Sequence, residues 1–291
     1  MLQDLAFGKL DNAFREKQPG KDARILCFRD GEILVARAAD DTLSLPSFSQ
    51  AEHWSSSWEH WNDTFRYVFN LQDIDYFVWM GQAGECPDAA FQYEPVRSLR
   101  QLPSKEVCFA VMTGWHLYTW YRNNRFCGRC GQLTRHDHTE RMLFCPACGN
   151  MIFPRISPAV IIAVTDGDRL LLSKYAGRAY TRYALLAGYT EIGETLEETV
   201  QREVMEEVGL RVKNIRYYKS QPWGVESNVL MGFFCDLDGS DAISLDTQEL
   251  SMAKWFRRSE IPAKDDGISL TREMIRVFQE GKEGEMQVFP K

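Results

Sequence analysis

Residues 188–210, GYTEIGETLEETVQREVMEEVGL, constrain this chain more than any other segment. Thr195 followed three residues later by Glu198 is a capping box that starts a helix, and Gly209 stands where a left-handed residue stops one. On a wheel of about 100° per residue, Leu196, Val200, Val204 and Val208 form one apolar stripe, so the helix must lie against a core. Glu203 and Glu207 fall about 40° apart on the border of that stripe. Two like-charged carboxylates one turn apart and partly desolvated repel each other, and the simplest compensation is a divalent cation between them. Hard oxygen donors suit Mg²⁺ or Mn²⁺, ions that also bridge phosphate oxygens. The bland alternative is a solvated acidic face, which most glutamate-rich helices present.

At 291 residues the chain exceeds one ordinary hydrophobic core, which favours two compact domains with a small module between them. A net charge of −7 argues against a surface built to neutralise nucleic-acid phosphates, so a polyanionic substrate needs local help, most simply from metal ions. Residues 1–10 carry Asp4 and Lys9 without an apolar signal region, and the longest apolar run, residues 159–164, is too short to cross a bilayer. The expectation is a cytoplasmic protein with no membrane partner.

Of eight cysteines, Cys27, Cys86, Cys108 and Cys235 are scattered and read as ordinary thiols. Cys127/Cys130 and Cys145/Cys148 form two C-x-x-C pairs separated by fourteen residues, each followed by glycine, Gly131 and Gly149. Two residues between thiolates let one tight turn present both sulfurs to a single ion, and four such ligands close the tetrahedron of a structural Zn²⁺. The alternative of two disulfides fits a non-secreted chain poorly. Residues 123–153 are too few to build an apolar core, so the ion is also the staple that orders them. Arg125, Arg129, Arg135 and His136 there are diluted by Asp137 and Glu140, which favours a brace over a nucleic-acid grip.

Within residues 23–36, two apolar stretches flank Asp30-Gly31, a hairpin signal. Residues 75–80 and 106–112 read as strand-like or ambiguous, and residues 113–122 repeat Trp and Leu at helical spacing. Residues 158–174 read as strand, turn and strand, residues 212–219 and 229–237 as strands, and residues 270–279 as a terminal helix. The predicted organisation is an N-terminal α+β domain over residues 1–122, a zinc ribbon over 123–153 and a catalytic domain over 154–291.

The glutamate segment fits the Nudix box at every fixed position, including Gly188, Glu194, Arg202, Glu203, Glu206, Glu207 and Gly209. Over roughly residues 95–276 the chain resembles the NADH pyrophosphatases of that superfamily, which join an N-terminal domain, a four-cysteine ribbon and a Nudix domain in this order. The resemblance implies an α+β protein whose Nudix domain is an α/β/α sandwich with a mixed sheet. It implies Mg²⁺ or Mn²⁺ held by Glu203, Glu207, Glu249 and the carbonyl of Ala187. Glu206 becomes a further ligand or the water-activating base, Arg202 the partner of a box glutamate, and Gly188 and Gly193 shape the loop.

Ser220-Gln221-Pro222-Trp223 matches the start of the subfamily's S-Q-P-W-P-F-P-x-S signature, which implies that Gln221 and Trp223 grip a nucleotide, although either could be plain core. Gly224-Val225-Glu226 then departs from Pro-Phe-Pro, a change that bears on substrate preference more than on reaction type. Weaker matches imply substrate contacts from Arg100, Glu140 and Phe153, partly across a homodimer, and from Tyr189 stacked on a base. The implied reaction is attack by water on one phosphorus of the NAD(H) pyrophosphate, giving NMN(H) and AMP, with the NAD cap of RNA as a further substrate. Other Nudix activities, on ADP-ribose, dinucleoside polyphosphates or FAD, stay open. So does a non-catalytic nucleotide sensor or nucleic-acid-binding regulator, though such proteins lose box glutamates that this chain keeps.

Overall fold

The computed structural model of the protein describes residues 1–5, 9–52, 64–81, 88–101, 104–177, 181–262 and 266–284. Two units emerge: Asp4–Arg155 with Trp223–Ser227, and Met1–Gln3 with Ile156–Pro222 and Asn228–Lys291. The junction after Arg155 lies two residues beyond the predicted boundary. The ribbon shares a unit with the N-terminal residues, and residues 223–227 join them there.

In the N-terminal unit, strands β1 (Leu10–Asp11), β2 (Arg24–Leu26), β6 (Phe65–Leu71) and β7 (Ile74–Trp79) form a sheet of order β1-β6-β7-β2. Strands β3 (Phe28–Arg29), β4 (Glu32–Arg37), β5 (Leu43–Ser44) and β8 (Gln92–Pro95) form another around β4. Asp30 and Gly31 join β3 to β4 with φ of 47° and 89°, the double positive that suits the twist of a tight hairpin. Ile25, Leu34, Phe65 and Phe77 meet in the core. Helix α1 runs from Lys105–Asn123, which corrects the strand-like reading of residues 106–112. Residues 108–112 are all buried, so no polar period marks them as helical.

The ribbon strands β9 (Arg135–His136), β10 (Leu143–Phe144) and β11 (Met151–Ile152) form an antiparallel sheet with β10 in the middle. One turn is built twice. Gly131 and Gly149, at φ 73° and 70°, donate their N–H groups to the carbonyls of Cys127 and Cys145 at 2.8 and 2.9 Å.

In the C-terminal unit the strands are β12 (Ser157–Asp166), β13 (Arg169–Tyr175), β14 (Leu186–Tyr189), β15 (Val212–Trp223), β16 (Asn228–Leu237) and β17 (Leu250–Arg257). The sheet order is β15-β16-β12-β13-β17 with β14 paired to β12; β12 and β16 are parallel, while β12–β13, β12–β14 and β13–β17 are antiparallel. Alternation along β12 organises the packing. Val160, Ile162 and Val164 meet Val200, Val204 and Val208 of helix α2 (Leu196–Val208). Ile161 and Ala163 share the opposite core with Leu270, Met274, Ile275 and Phe278 of helix α3 (Leu270–Gln279). Full burial of each valine contributes about 1.5–3 kcal/mol, so the stripe of α2 alone fixes that helix to the sheet. The result is the predicted α/β/α sandwich with a mixed sheet. Among the described residues no helix is long and apolar enough to cross a membrane.

Candidate active site and zinc centre

Both ends of α2 are fastened. Thr195 Oγ1 accepts from the Glu198 N–H at 3.2 Å while Glu198 Oε2 accepts from the Thr195 N–H at 2.8 Å. Gly209, at φ 68°, donates to the Met205 carbonyl, and the next carbonyls are capped from a distant segment. Ser244 N–H donates to Val208 O and Asp246 N–H to Glu207 O, both at 2.9 Å. That segment leads directly into Glu249, which is thereby delivered to the carboxylates of α2.

Glu203 is 9% exposed and Glu207 2% exposed, so the sheet-facing border of α2 holds two buried carboxylates. Arg202 spends all five guanidinium protons beside them. Its Nε and Nη2 donate to Glu194 Oε1 and Oε2 at 2.6 and 3.0 Å, its Nη1 to Glu203 Oε1 at 2.7 Å and Glu206 Oε2 at 2.8 Å, and its Nη2 also to Tyr189 O at 2.9 Å. The Arg202 guanidinium and the Glu191 N–H hold Glu194 down to about 2, and Glu194 in turn raises the pKa of Arg202. Burial pushes Glu203 up; Arg202 opposes this, and the charges of Glu206 and Glu249 add to it. One cation thus faces three carboxylates, with Glu207 and Glu249 adding to the acidic side.

Gly188 supplies the floor of the site. A Cβ there would lie 1.9–2.2 Å from Cδ and both carboxylate oxygens of Glu203, so this carboxylate rests on bare backbone of β14, beside Ala187. The expected loop-shaping role of Gly188 is corrected accordingly: it is a strand residue opposite Val160, and it provides space. Gly193, at φ 96°, does shape the loop. An excess of hard oxygen donors around a glycine cradle fits a divalent cation of the Mg²⁺ type, with Glu203, Glu207, Glu249 and the Ala187 carbonyl as the groups that would hold it.

The four ribbon sulfurs lie within 4.8 Å of one another, with Cys127–Cys148 at 3.7 Å and Cys130–Cys145 at 3.4 Å. A tetrahedron of Zn–S bonds of about 2.3 Å has edges of about 3.8 Å, so the cage already has nearly the size that Zn²⁺ requires. The Arg129 N–H, which donates to Cys127 Sγ at 3.4 Å, helps to hold this thiol down to about 6.

Ala187, Tyr189, Arg202, Glu203, Glu206, Glu207 and Glu249 gather in the C-terminal unit. Tyr189 is 49% exposed, and its hydroxyl accepts from Asn228 Nδ2 at 3.3 Å. Gln221 is also in this unit but fully buried. Its amide donates to Gln3 Oε1 and Ile268 O and accepts from the Leu270 N–H, so neither N–H is left for a base edge. The N-terminal unit carries the four cysteines, Arg100 in the 3₁₀ turn Val96–Gln101, exposed Glu140 and Phe153, and half-buried Trp223. Glu194 is a positioning residue that acts through Arg202; its signal in the sequence is a place one residue before the helix cap and eight before Arg202.

An α/β/α sandwich with clustered carboxylates on one bordering helix is a scaffold for divalent-metal chemistry on phosphates. Residues 155–278 match the family described as NUDIX domain, and residues 122–153 the NADH pyrophosphatase zinc ribbon domain. The NAD-capped RNA hydrolase NudC of Pectobacterium atrosepticum is 38% identical over 180 residues, 61% of this chain and 69% of its own. That of Pectobacterium carotovorum subsp. carotovorum is 34% identical over 223 residues, 76% and 82% of the two chains. A crystal structure of a Nudix hydrolase from Nitrosomonas europaea aligns with a TM-score of 0.49 at 24% identity, covering 57% of this chain and 96% of that one. The chain belongs to the Nudix hydrolases that carry the NADH pyrophosphatase zinc ribbon.

Proposed function

We propose that the protein hydrolyses the pyrophosphate bond of NAD(H) to NMN(H) and AMP and removes NAD caps from RNA, with Mg²⁺ or Mn²⁺ at the box helix and Zn²⁺ in the ribbon. The observation that carries this reading is the Glu203 carboxylate, seated on Gly188 and aimed by Arg202. A bound divalent cation supplies positive charge against the phosphates and acidifies water near them. Arg202, locked by Glu194, orients Glu203 and opposes the upward push of burial on its carboxyl. Glu206 is the most exposed of the three carboxylates on Arg202, which suits it to take the proton of the attacking water.

Tyr189 and Trp223 offer ring faces to the nucleotide bases. Gln221 serves as framework, and Arg100, Glu140 and Phe153 complete the substrate contacts. A homodimer is supported by Phe126, Leu133, Met151 and Phe153, large apolar side chains exposed on or next to the ribbon; Phe126 and Leu133 pair across a β-bridge. A four-thiol centre needs reduced sulfur, which favours the cytoplasm.

The deciding experiment compares initial rates on NADH, NAD⁺, NAD-capped RNA and ADP-ribose under matched Mg²⁺. Either NAD form or the capped RNA is expected to be the preferred substrate. AMP release fastest from ADP-ribose would overturn the substrate assignment and shift attention to the substituted segment after Trp223.

A further inference from the structure

The connection from β15 to β16 is short and is held in place by side chains and backbone far away in sequence. After Trp223 the chain makes a 3₁₀ turn, Gly224–Glu226, and leaves through Ser227 at φ 56°, whose N–H returns to the Gly224 carbonyl at 3.2 Å. A Cβ on Gly224 would lie 2.0 Å from the carbonyl oxygen of Met112 and 3.4 Å from Cβ of His116, both on α1. The φ of Gly224 lies outside the left-handed region, so the glycine provides room for contact rather than a special torsion. The helix backbone cannot yield easily, because that carbonyl sits within a hydrogen-bonded turn. His116 is tied as well, with Nε2 2.7 Å from Arg155 O. On the far side of the turn, Glu226 Oε1 meets Arg97 Nη2 at 2.5 Å.

We propose that the N-terminal unit positions the indole of Trp223 for nucleotide binding, with Gly224 seated on the backbone of α1 and Glu226 paired with Arg97 as the two anchors. This rests on the reading of Trp223 as a stacking residue. Alanine or proline at position 224 cannot follow the same path, since either brings a Cβ against Met112 O. Gly224 and Glu226 are therefore positioning residues that act through Trp223, and this gives α1 and Arg97 a task in substrate capture.

The test measures kcat, KM and equilibrium NADH binding, the last by NADH fluorescence without added Mg²⁺, on full-length zinc-loaded variants with folding checked by circular dichroism. Gly224→Ala is expected to raise KM and the dissociation constant about two- to tenfold, the size of one lost aromatic stacking contact, with kcat within about threefold. Trp223→Ala should weaken binding comparably, and the double variant should be no weaker than Trp223→Ala alone. Glu226→Gln, whose ion pair is largely exposed, should raise KM about two- to fivefold, and the swap Arg97→Glu with Glu226→Arg should restore it.

If the effects of Gly224→Ala and Trp223→Ala multiply, or if folded Gly224→Ala binds NADH normally while Trp223→Ala does not, this proposal fails and the stacking role stands. Unchanged binding by Trp223→Ala would end both. Should Gly224→Ala not fold, the charge swap decides: failure to restore KM overturns the proposal.

Discussion

Replacing Gly188 by alanine places a methyl carbon 1.9 Å from Cδ of Glu203 and 2.0 and 2.2 Å from its two oxygens. An ordinary contact is about 3.5 Å, so the carboxylate must retreat by more than about 1 Å. The retreat is not free, because Arg202 Nη1 holds Oε1 at 2.7 Å from one side and the packed face of α2 closes the other. Displacing a positioning group by about 1 Å costs on the order of 10²-fold in rate, or about 2.7 kcal/mol of transition-state stabilisation. Overpacking adds a stability loss of about 1–3 kcal/mol. The assay is NADH hydrolysis as a function of Mg²⁺ concentration, with thermal melting and zinc content measured alongside. The expectation is kcat/KM lowered about a hundredfold, half-saturation moved to higher Mg²⁺, melting lowered by a few degrees and zinc unchanged. Parental turnover with an unshifted Mg²⁺ dependence would refute the argument that a bare backbone at 188 sets the position of Glu203.

Glu207→Ala should lower kcat by several orders of magnitude while the circular dichroism spectrum and nucleotide binding persist; unchanged turnover would remove that carboxylate from the mechanism. Glu194→Gln should lower kcat about tenfold by loosening Arg202. It should also be less stable than the parent at pH 6 yet converge with it near pH 2 in thermal melts: a carboxylate held down to about 2 stabilises the fold fully above its ordinary pKa and loses that contribution as pH falls. Removing zinc with a chelator, or making Cys130→Ser, should abolish ordered ribbon signals and release close to one zinc per chain in a colorimetric assay.

The features that could be read in advance were local ones. The capping box at Thr195 and Glu198, the left-handed Gly209 and the valine stripe of α2 are all encoded within thirteen residues plus their two caps. The hairpin at Asp30-Gly31 and the helix Leu270–Gln279 were legible for the same reason. Residues 106–112 read as strand-like because residues 108–112 are buried in succession, which erases the amphipathic period of a helix. The roles of Gly188, Gly224 and Gln221 depend on groups distant in sequence: a carboxylate fifteen residues on, a helix carbonyl over a hundred residues back, and the backbone at 268 and 270. No pattern within a window of one element could have revealed them.

The clasp formed by Ser244 and Asp246 on the carbonyls of Val208 and Glu207 has a consequence for how sequences of this kind can vary in length. Both contacts are made by backbone, so exposed Ser244, Thr247 and Gln248 can change side chain without moving Glu249, whereas Leu245 packs against the core of α2 and the Asp246 carboxylate accepts from the Gln248 N–H. Insertions between Leu237 and Ser244 enlarge a loop upstream of the clasp, at an entropic cost that rises only slowly with length. A deletion between Asp246 and Glu249 is different. It would shorten the tether between clasp and carboxylate and turn Glu249 away from Glu203, leaving the sandwich folded but one oxygen donor short.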